Sequence, residues 1–215
     1  MRTSSLRTLD LAYIALFAVL TAVCAWLTIP FTVPFTLQTF AVFLALTTLG
    51  GRRGLYAVAV YLLLGAVGLP VFSGGQGGIG VLLGTTGGYI VGFLVSALVY
   101  WLVTAKLGDS LPVTVSACVL GMMVCYGFGT AWFMAAYART SGPVGLTAAL
   151  GWCGIPVILP ALCKMALAIA LSRRMKKYLK YGKRPEYRTL LLFQNVKRIS
   201  YQTTPPWVDW DTPSF

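Results

Sequence analysis

The stretch "PVFSGGQGGIGVLLGTTGGYIVGFLVSALVYWLVTAK", residues 70–106, joins a glycine-rich loop to an apolar segment. Eight of its first twenty residues are glycine, and Gly75, Gly77 and Gly80 match the G-x-G-x-x-G pattern of dinucleotide-binding loops. Such a loop needs a strand before it, a helix after it and an acidic residue about 20 positions further on. An apolar run precedes this loop instead, and residues 95–105 contain no acid. The stretch therefore favours a membrane protein over a nucleotide-binding domain.

The composition of the whole chain points the same way. Hydrophobic residues make up 58% of its 215 residues and charged residues 10%, whereas soluble domains carry about 25% charged residues. Asp109 is the only carboxylate between Leu11 and Pro185, and the chain has no histidine. Paired-carboxylate and histidine-based catalysis are therefore excluded, as are zinc and magnesium sites. We expect neither an enzyme nor a bound metal or cofactor.

Apolar runs of the length needed to cross a bilayer, about 20 residues, recur along the chain. Pro156 and Pro160 interrupt the last run, and proline is tolerated only in the first turn of a helix. We therefore begin the last helix near Pro160 and place residues 141–159 in a hairpin or half-helix at the membrane face. The sequence predicts an all-α, polytopic membrane protein with six transmembrane helices, at residues 11–29, 37–49, 55–69, 89–106, 113–138 and 160–177.

The basic residues predict the orientation of these spans. Twelve basic residues lie on the side that holds both ends of the six-span domain, and seven of these twelve are within residues 173–184. The loops on the opposite side contain one basic residue, Arg139. Because basic residues favour the cytoplasmic side, we place both termini in the cytoplasm and the 30–36 and 70–88 loops outside. The net charge of +12 then indicates anionic membrane lipid, and not nucleic acid, as the partner.

The chain is predicted to have two parts. Residues 1–184 form the six-helix membrane domain, and residues 185–215 form a cytoplasmic tail that lacks a core of its own and is expected to be mobile. A docking segment that uses Trp207 and Trp210 is the alternative for this tail.

Two features of the glycine loop suggest separate roles. Gly84, Gly88, Gly92 and Ser96 recur every four residues, which on a helix makes one stripe of small residues that lets a neighbouring helix approach closely. The upstream glycines, at 74–80, permit positive φ angles and a backbone that lies flat against a ligand. A lid over a small molecule is one interpretation of this loop, and a flexible turn is the other.

Polar side chains at membrane depth suggest a binding site, because such groups are costly there and usually functional. Lys164 has no carboxylate near it in sequence, so its ammonium either binds a ligand carboxylate or reaches the outer headgroups. Glutamine amides suit a ureido or amide ligand, and aromatic rings can enclose it. The other candidates at this depth are Thr36, Gln38, Thr39, Gln76, Tyr89, Phe72 and Trp152.

Two further patterns allow more than one interpretation. Ala15, Ala18 and Ala22 share one face of the first span, which serves either packing inside the bundle or docking of a partner membrane protein. Cys118 and Cys125, seven residues apart, could form the pair of an intramembrane thiol oxidoreductase or be small packing residues.

Three motifs resemble the BioY family, the biotin-binding S components of energy-coupling factor (ECF) transporters. They are "PFTVPFTLQTFAVFLA" at 30–45, "GGRRGLYAVAVYLLLGAVGLPVFSGGQGG" at 50–78 and "LLGTTGGYIVGF" at 82–93, and the resemblance extends over about residues 11–180. It implies a six-helix S-component fold in the bacterial cytoplasmic membrane that binds biotin at its outer face. It also implies a transmembrane T component and two ATPase subunits as partners, which hydrolyse ATP in place of this chain.

The resemblance also assigns roles to the candidate residues. Lys164 is expected to bind the valerate carboxylate, and Gln76, with Gln38 or Thr36, the ureido ring. The bicycle is expected to be enclosed by Tyr89, Phe72 and the loop glycines Gly74, Gly75, Gly77 and Gly78. The first-span alanines Ala15, Ala18 and Ala22 are expected to contact the T component.

The sequence departs from the family pattern at three polar or conformationally restricted positions. The family's P-G-D-x-x-K reads "LPALCK", with Ala161 in place of the acid, and its G-P-T-G-G-Y reads "GTTGGY", with Thr85 in place of proline. Ile90 stands where members can carry a basic residue. An S component for a different small vitamin is therefore the alternative function.

Overall fold

A computed structural model describes residues 8–29, 35–140, 142, 145, 151 and 155–178. Seven α-helices account for most of this part of the chain, together with a 3-10 turn at Ser73–Gly75 and two short paired strands, β1 (Thr28–Ile29) and β2 (Phe35–Thr36). The helices are α1 (Thr8–Trp26), α2 (Gln38–Leu49), α3 (Gly51–Ala66), α4 (Ile79–Leu83), α5 (Gly87–Leu107), α6 (Leu111–Thr140) and α7 (Ile155–Tyr178).

The predicted all-helical architecture is confirmed for the described residues. Helices α1, α5 and α6 are long and apolar enough to cross a membrane, and α2 is a shorter apolar helix whose bounds lie within one residue of the prediction. The sequence did not predict α4 inside the glycine loop, nor the antiparallel pairing of Thr28 with Thr36. The predicted tail, residues 185–215, lies outside the described part of the chain.

Two predicted helix starts were wrong. Helix α3 begins at Gly51 and not at residue 55, so Arg52 and Arg53 lie in its first turn. Helix α7 begins at Ile155 and continues through Pro160, where the prediction began it. Proline removes one backbone donor, but membrane helices tolerate this loss where neighbouring groups satisfy the freed carbonyl.

Helices α5 and α6 pack along a seam of small residues. A Cβ added at Gly88 would overlap the side chain of Trp132, and one at Gly129 would overlap the ring of Tyr89. At Gly92 the added atom would lie 3.0 Å from the Cys125 Sγ. The glycines therefore let α5 and α6 approach until side chains of one helix contact the glycine backbone of the other, as the stripe predicted.

The stripe is shorter than predicted, because Gly84 lies outside the helix. Gly84 follows α4 in an extended conformation, and α5 begins three residues later at Gly87. Its carbonyl accepts a hydrogen bond of 3.0 Å from the indole Nε1 of Trp132. The α4–α5 turn is thus tied to α6 by the same tryptophan that packs on Gly88.

Ion pairs join helix termini at the other end of α5 and α6. The Asp109 carboxylate, between α5 and α6, lies 2.9 Å from the ammonium of Lys176 near the end of α7. The Asp10 carboxylate in the first turn of α1 lies 3.0 Å from the guanidinium of Arg53. Both carboxylates in the described part of the chain are therefore paired with cations of another helix.

The α5–α6 seam predicts different costs for two glycine substitutions on α6. Gly129→Ala places a methyl group in the Tyr89 ring, whereas Gly127 has open space where its Cβ would lie. We expect Gly129→Ala to destabilise the protein by about 1–3 kcal/mol through overpacking. Gly127→Ala should be neutral or stabilising by up to about 1 kcal/mol, since alanine favours the helix.

Thermal unfolding of both variants in detergent, followed by circular dichroism, measures this difference. Equal transition temperatures for the two variants would contradict the close approach of α5 and α6 at Gly129.

Candidate functional site

The chain between α3 and α4 is held at several points by the helices beneath it. Tyr61 of α3 donates its hydroxyl to the Val71 carbonyl at 3.1 Å, and the Gly78 amide donates to the Gly65 carbonyl at 2.7 Å. The indole of Trp26, at the end of α1, donates to the Pro70 carbonyl at 2.8 Å. The glycine-rich segment at 70–78 is therefore a loop fixed to α1 and α3.

Glycine is required at several positions of this loop for different reasons. Gly74, Gly75 and Gly78 have φ angles of 70°, 72° and 95°, which side chains rarely adopt. Gly77 has no room for a side chain, because its Cβ would overlap the Leu69 carbonyl. The predicted positive φ angles are thus present at three of the loop glycines, and the loop exposes Gln76 at its surface.

Phe72 has a different place from the one predicted for it. Its ring is 1% exposed, fills the space over Gly65 and meets Tyr61 edge-on, with the ring centroids 5.7 Å apart. It is buried by this chain's own helix α3, so it holds the loop down and does not present its ring to an open site.

Lys164 is joined to the chain that leads into α2. Its Nζ donates a hydrogen bond of 2.7 Å to the Thr36 carbonyl, across 128 residues of sequence. The Thr36 hydroxyl in turn accepts from the backbone N–H of Gln38 at 3.3 Å. The structure therefore brings together, at the start of α2, three predicted residues from two segments: Lys164, Thr36 and Gln38.

Gln38 contains the polar group with the fewest contacts in this region. Its side chain is 4% exposed, and its Nε2 has no hydrogen-bond partner among the described residues. The Tyr61 hydroxyl lies beside it and also holds the loop carbonyl of Val71. Because an unsatisfied buried amide costs about 1–3 kcal/mol, this donor is suited to a ligand acceptor.

Tyr89 lies in an aromatic cluster on α6. Its hydroxyl is 3.0 Å from the Thr130 Oγ1, and its ring meets Tyr126 edge-on at 6.0 Å. Phe133 and Tyr137 pack against the same cluster. The structure thus places Tyr89 at the seam between α5 and α6, while Trp152 lies outside the described residues.

Residues that the sequence analysis did not single out connect these groups. Tyr61 lies beside Gln38 and bonds the loop carbonyl of Val71. Trp26 and Thr28 connect the end of α1 to the loop, Thr28 through a contact of 3.1 Å between its hydroxyl and that of Ser73. A tyrosine inside an apolar run is the one sequence feature that could have indicated Tyr61, because a buried tyrosine hydroxyl usually needs a partner.

The first-span alanines do not share one environment. Ala15 is exposed, whereas Ala18 and Ala22 are 1% and 9% exposed and pack inside the bundle. This chain's own helices cover Ala18 and Ala22, so Ala15 is the exposed one of the three, and their contact with a partner stays a prediction. Packing within the bundle, the alternative interpretation, describes this pair.

The cysteines of the proposed thiol pair are both buried and free. Cys118 is in the core of α6, and the Cys125 Sγ lies 3.7 Å from the Tyr89 carbonyl. Buried thiols of this kind behave as small packing residues, so the structure gives the oxidoreductase interpretation no support.

Removing the Tyr61 hydroxyl is expected to loosen the loop without leaving a cavity in the core. Tyr61→Phe keeps the ring on Phe72 but removes the donor to Val71, at a cost of about 0.5–1.5 kcal/mol. We expect faster amide hydrogen exchange at residues 71–78, measured by mass spectrometry. Tyr56→Phe, on the same helix but bonded to Arg52, is the control and should leave this exchange unchanged. Unchanged exchange in Tyr61→Phe would contradict this anchoring.

Comparison with known proteins places this fold and these motifs in one group. The family model described as "BioY family" matches residues 1–181. A biotin transporter BioY of Thermotoga maritima is 39% identical over 165 residues, covering 75% of this chain and 92% of that protein. A probable biotin transporter BioY of Pyrococcus horikoshii is 35% identical over 168 residues, covering 78% and 96%.

A solved structure agrees with these sequence matches. The crystal structure of the S-component for biotin from an ECF-type ABC transporter superposes with a TM-score of 0.71 at 25% identity, covering 82% of this chain and 95% of that one. The resemblance found from the sequence is thereby confirmed, and so is the expectation of a membrane protein. This chain belongs to the BioY family.

Proposed function

We propose that this chain binds biotin at the outer end of its helical bundle and mediates biotin import as the S component of an ECF transporter. The observation that carries the proposal is the Lys164 ammonium, bonded to the Thr36 carbonyl beside the unsatisfied amide of Gln38. A cation and an amide donor in the same region of the bundle provide groups for the two polar ends of a ligand that has both a carboxylate and a urea carbonyl.

Lys164 would bind the carboxylate of the valerate chain. The Lys164 ammonium donates a hydrogen bond to the Thr36 carbonyl. Ala161, one turn earlier on α7, is 1% exposed and stands where the family carries an acid, so this position adds no competing carboxylate. A ligand carboxylate can therefore approach Lys164 while the lysine keeps its backbone partner.

The ureido ring would lie toward α2 and the glycine loop. The Nε2 of Gln38 would donate to the ureido oxygen, and Gln76, exposed on the loop, would contribute its amide from above. Gly74, Gly75, Gly77 and Gly78 would form the lid, since their backbone can lie close to a ring. Tyr89 would close the site on the α6 side.

The membrane arrangement is part of the same proposal. The chain would cross a bacterial cytoplasmic membrane six times, with both termini inside and lipid around its apolar faces. A T component would dock on the exposed side of α1, where Ala15 lies, and two ATPase subunits would supply the energy of transport. This assignment leaves Ala18 and Ala22 to the packing of the bundle.

A different vitamin acid remains the second candidate, and particular substitutions favour it. Ala161 removes an acid from the site, and Ile90, which is 7% exposed, replaces a position that can be basic in the family. Fewer polar groups would then distinguish biotin from other small carboxylates.

The Lys164 assignment predicts a charge-dependent affinity. Charged hydrogen bonds are worth about 1.5–3 kcal/mol, so Lys164→Gln should weaken biotin binding by about 10- to 150-fold. The same variant should bind biotin methyl ester as the wild type does. Calorimetric titration of the full chain in detergent measures both ligands, and Lys106→Gln, an exposed lysine at the end of α5, is the control.

Two results would overturn parts of this proposal. Equal wild-type affinity for biotin and its ester would remove Lys164 as the carboxylate partner. No binding of either by folded protein would reject biotin and leave the second vitamin acid.

Substitution of the buried Gln38 side chain is expected to raise stability and to lower biotin affinity. Gln38→Leu removes an unsatisfied donor, so it should raise the stability of the ligand-free protein by up to about 1–3 kcal/mol. It should also weaken biotin binding, because the ureido oxygen loses its donor. Thermal unfolding and calorimetry test the two effects, with Gln76→Leu as the exposed comparison, for which no gain in stability is expected. A loss of stability together with unchanged affinity would reject the role of Gln38.

A further inference from the structure

We propose that a second pocket, built around Arg139, captures the carboxylate of a small amphipathic acid before the acid enters the site at Lys164. The identity of that acid rests on the proposed function. The added residue is Arg139 on α6, whereas Lys164 lies on α7. The pocket has a volume of about 310 Å³, and its walls include Leu83, Gly84, Thr85, Trp132, Ala136 and Arg139.

The walls of this pocket are apolar on one side and polar at the rim. Trp132 uses its indole N–H on the Gly84 carbonyl, so the ring contributes an apolar wall whose donor is already satisfied. Ala135 and Ala136 leave the space open because their side chains are small. Thr85 is half-buried, and its hydroxyl makes no hydrogen bond with any described residue. Small-molecule sites have this character, an apolar cleft with few polar groups.

Arg139 supplies a positive charge that the described part of the chain does not neutralise. It lies in the last turn of α6, is exposed, and makes no hydrogen bond or ion pair with residues 8–29, 35–140 or 155–178. The carboxylates of these segments, Asp10 and Asp109, are paired with Arg53 and Lys176. Arg139 has thus no anionic partner within these segments, and a guanidinium binds a ligand carboxylate through two parallel hydrogen bonds.

The pocket adjoins, through the start of α5, the aromatic cluster of Tyr89, which the proposed function places on the α6 side of the site. Gly88 packs on Trp132, which forms the pocket wall, while the next residue, Tyr89, packs on Gly129 and Thr130. Trp132 and Phe133 are likewise consecutive residues of α6, one in the pocket wall and one in the cluster. An acid held at Arg139 is therefore separated from the Tyr89 cluster by one layer of side chains.

This position gives Arg139 a kinetic role. A charge at the mouth of a site raises the rate at which oppositely charged ligands are captured, and the effect weakens with salt. Tight binding remains the task of the buried groups, because an exposed guanidinium forms only a weak ion pair in water.

The experiment is a stopped-flow measurement of binding to the full chain in detergent, with biotin and biotin methyl ester as the probes. We expect Arg139→Gln to lower the association rate constant of biotin by about threefold or more at low salt. The dissociation rate constant and the kinetics of the ester should stay as in the wild type. Arg139→Lys should recover part of the rate, and Arg52→Gln, on the first turn of α3, is the control of the same residue type.

Each other result overturns the inference. An unchanged biotin association rate in Arg139→Gln rejects capture. If this variant also retains less anionic lipid, Arg139 binds a lipid phosphate instead. Equal slowing of biotin and its ester rejects the carboxylate contact and indicates a change in the pocket. If the wild type binds biotin but Arg139→Gln has no effect, only this inference fails. If the folded wild type binds no biotin, both the proposed function and this inference fail.

Discussion

The close packing of α5 against α6 fixes the side chains along their seam and the turn between α4 and α5. Lipid provides little hydrophobic force between helices, so their association depends on contacts that only small residues permit. Gly88, Gly92 and Gly129 remove side chains from this seam, and the space is taken by Trp132, Cys125 and the Tyr89 ring. Tyr89 is consequently fixed against Thr130. The α4–α5 turn is fixed as well, because Trp132 bonds the carbonyl at Gly84.

A second constraint acts on the irregular backbone of the glycine loop. In a membrane protein such backbone is tolerated only where protein or a water-filled cavity satisfies its polar groups. Here Tyr61, Trp26 and Gly65 satisfy several of these groups directly, and the buried ring of Phe72 holds the segment from below. The anchors leave Gln76 exposed on a fixed backbone, which is the arrangement that a lid over a ligand requires.

The sequence predicted well those features that depend on local composition. Continuous apolar runs identified α1, α2, α5 and α6, since hydrophobic length is a property of the segment itself. The starts of α3 and α7 were missed because arginine and proline were treated as helix boundaries, although both are accommodated inside these helices. Local pattern could not tell which neighbours cover a helix face.

The site shows the same division between local and distant information. Lys164, Thr36 and Gln38 were all candidates because each is polar in apolar surroundings. Their contact depends on a hydrogen bond across 128 residues, which no local pattern contains. Ala18 and Ala22 satisfied a docking motif and a packing motif equally, and only the surrounding helices decide between the two. The unsatisfied amide of Gln38 was also beyond prediction, since the number of its partners follows from the packing around it.

In the proposed site, the Thr36 partner of Lys164 would affect release of the ligand as well as its binding. An ammonium without any partner at this depth would be costly in the ligand-free protein, and the cost would make release of an anionic ligand unfavourable. The Thr36 carbonyl reduces that cost, because it accepts a hydrogen bond from the ammonium. A neutral carbonyl also competes weakly with an anion, whereas an acid at position 161 would neutralise the lysine outright. Under the proposed assignment, alanine at this position would favour ligand binding because it carries no negative charge, while the carbonyl would keep the empty state accessible.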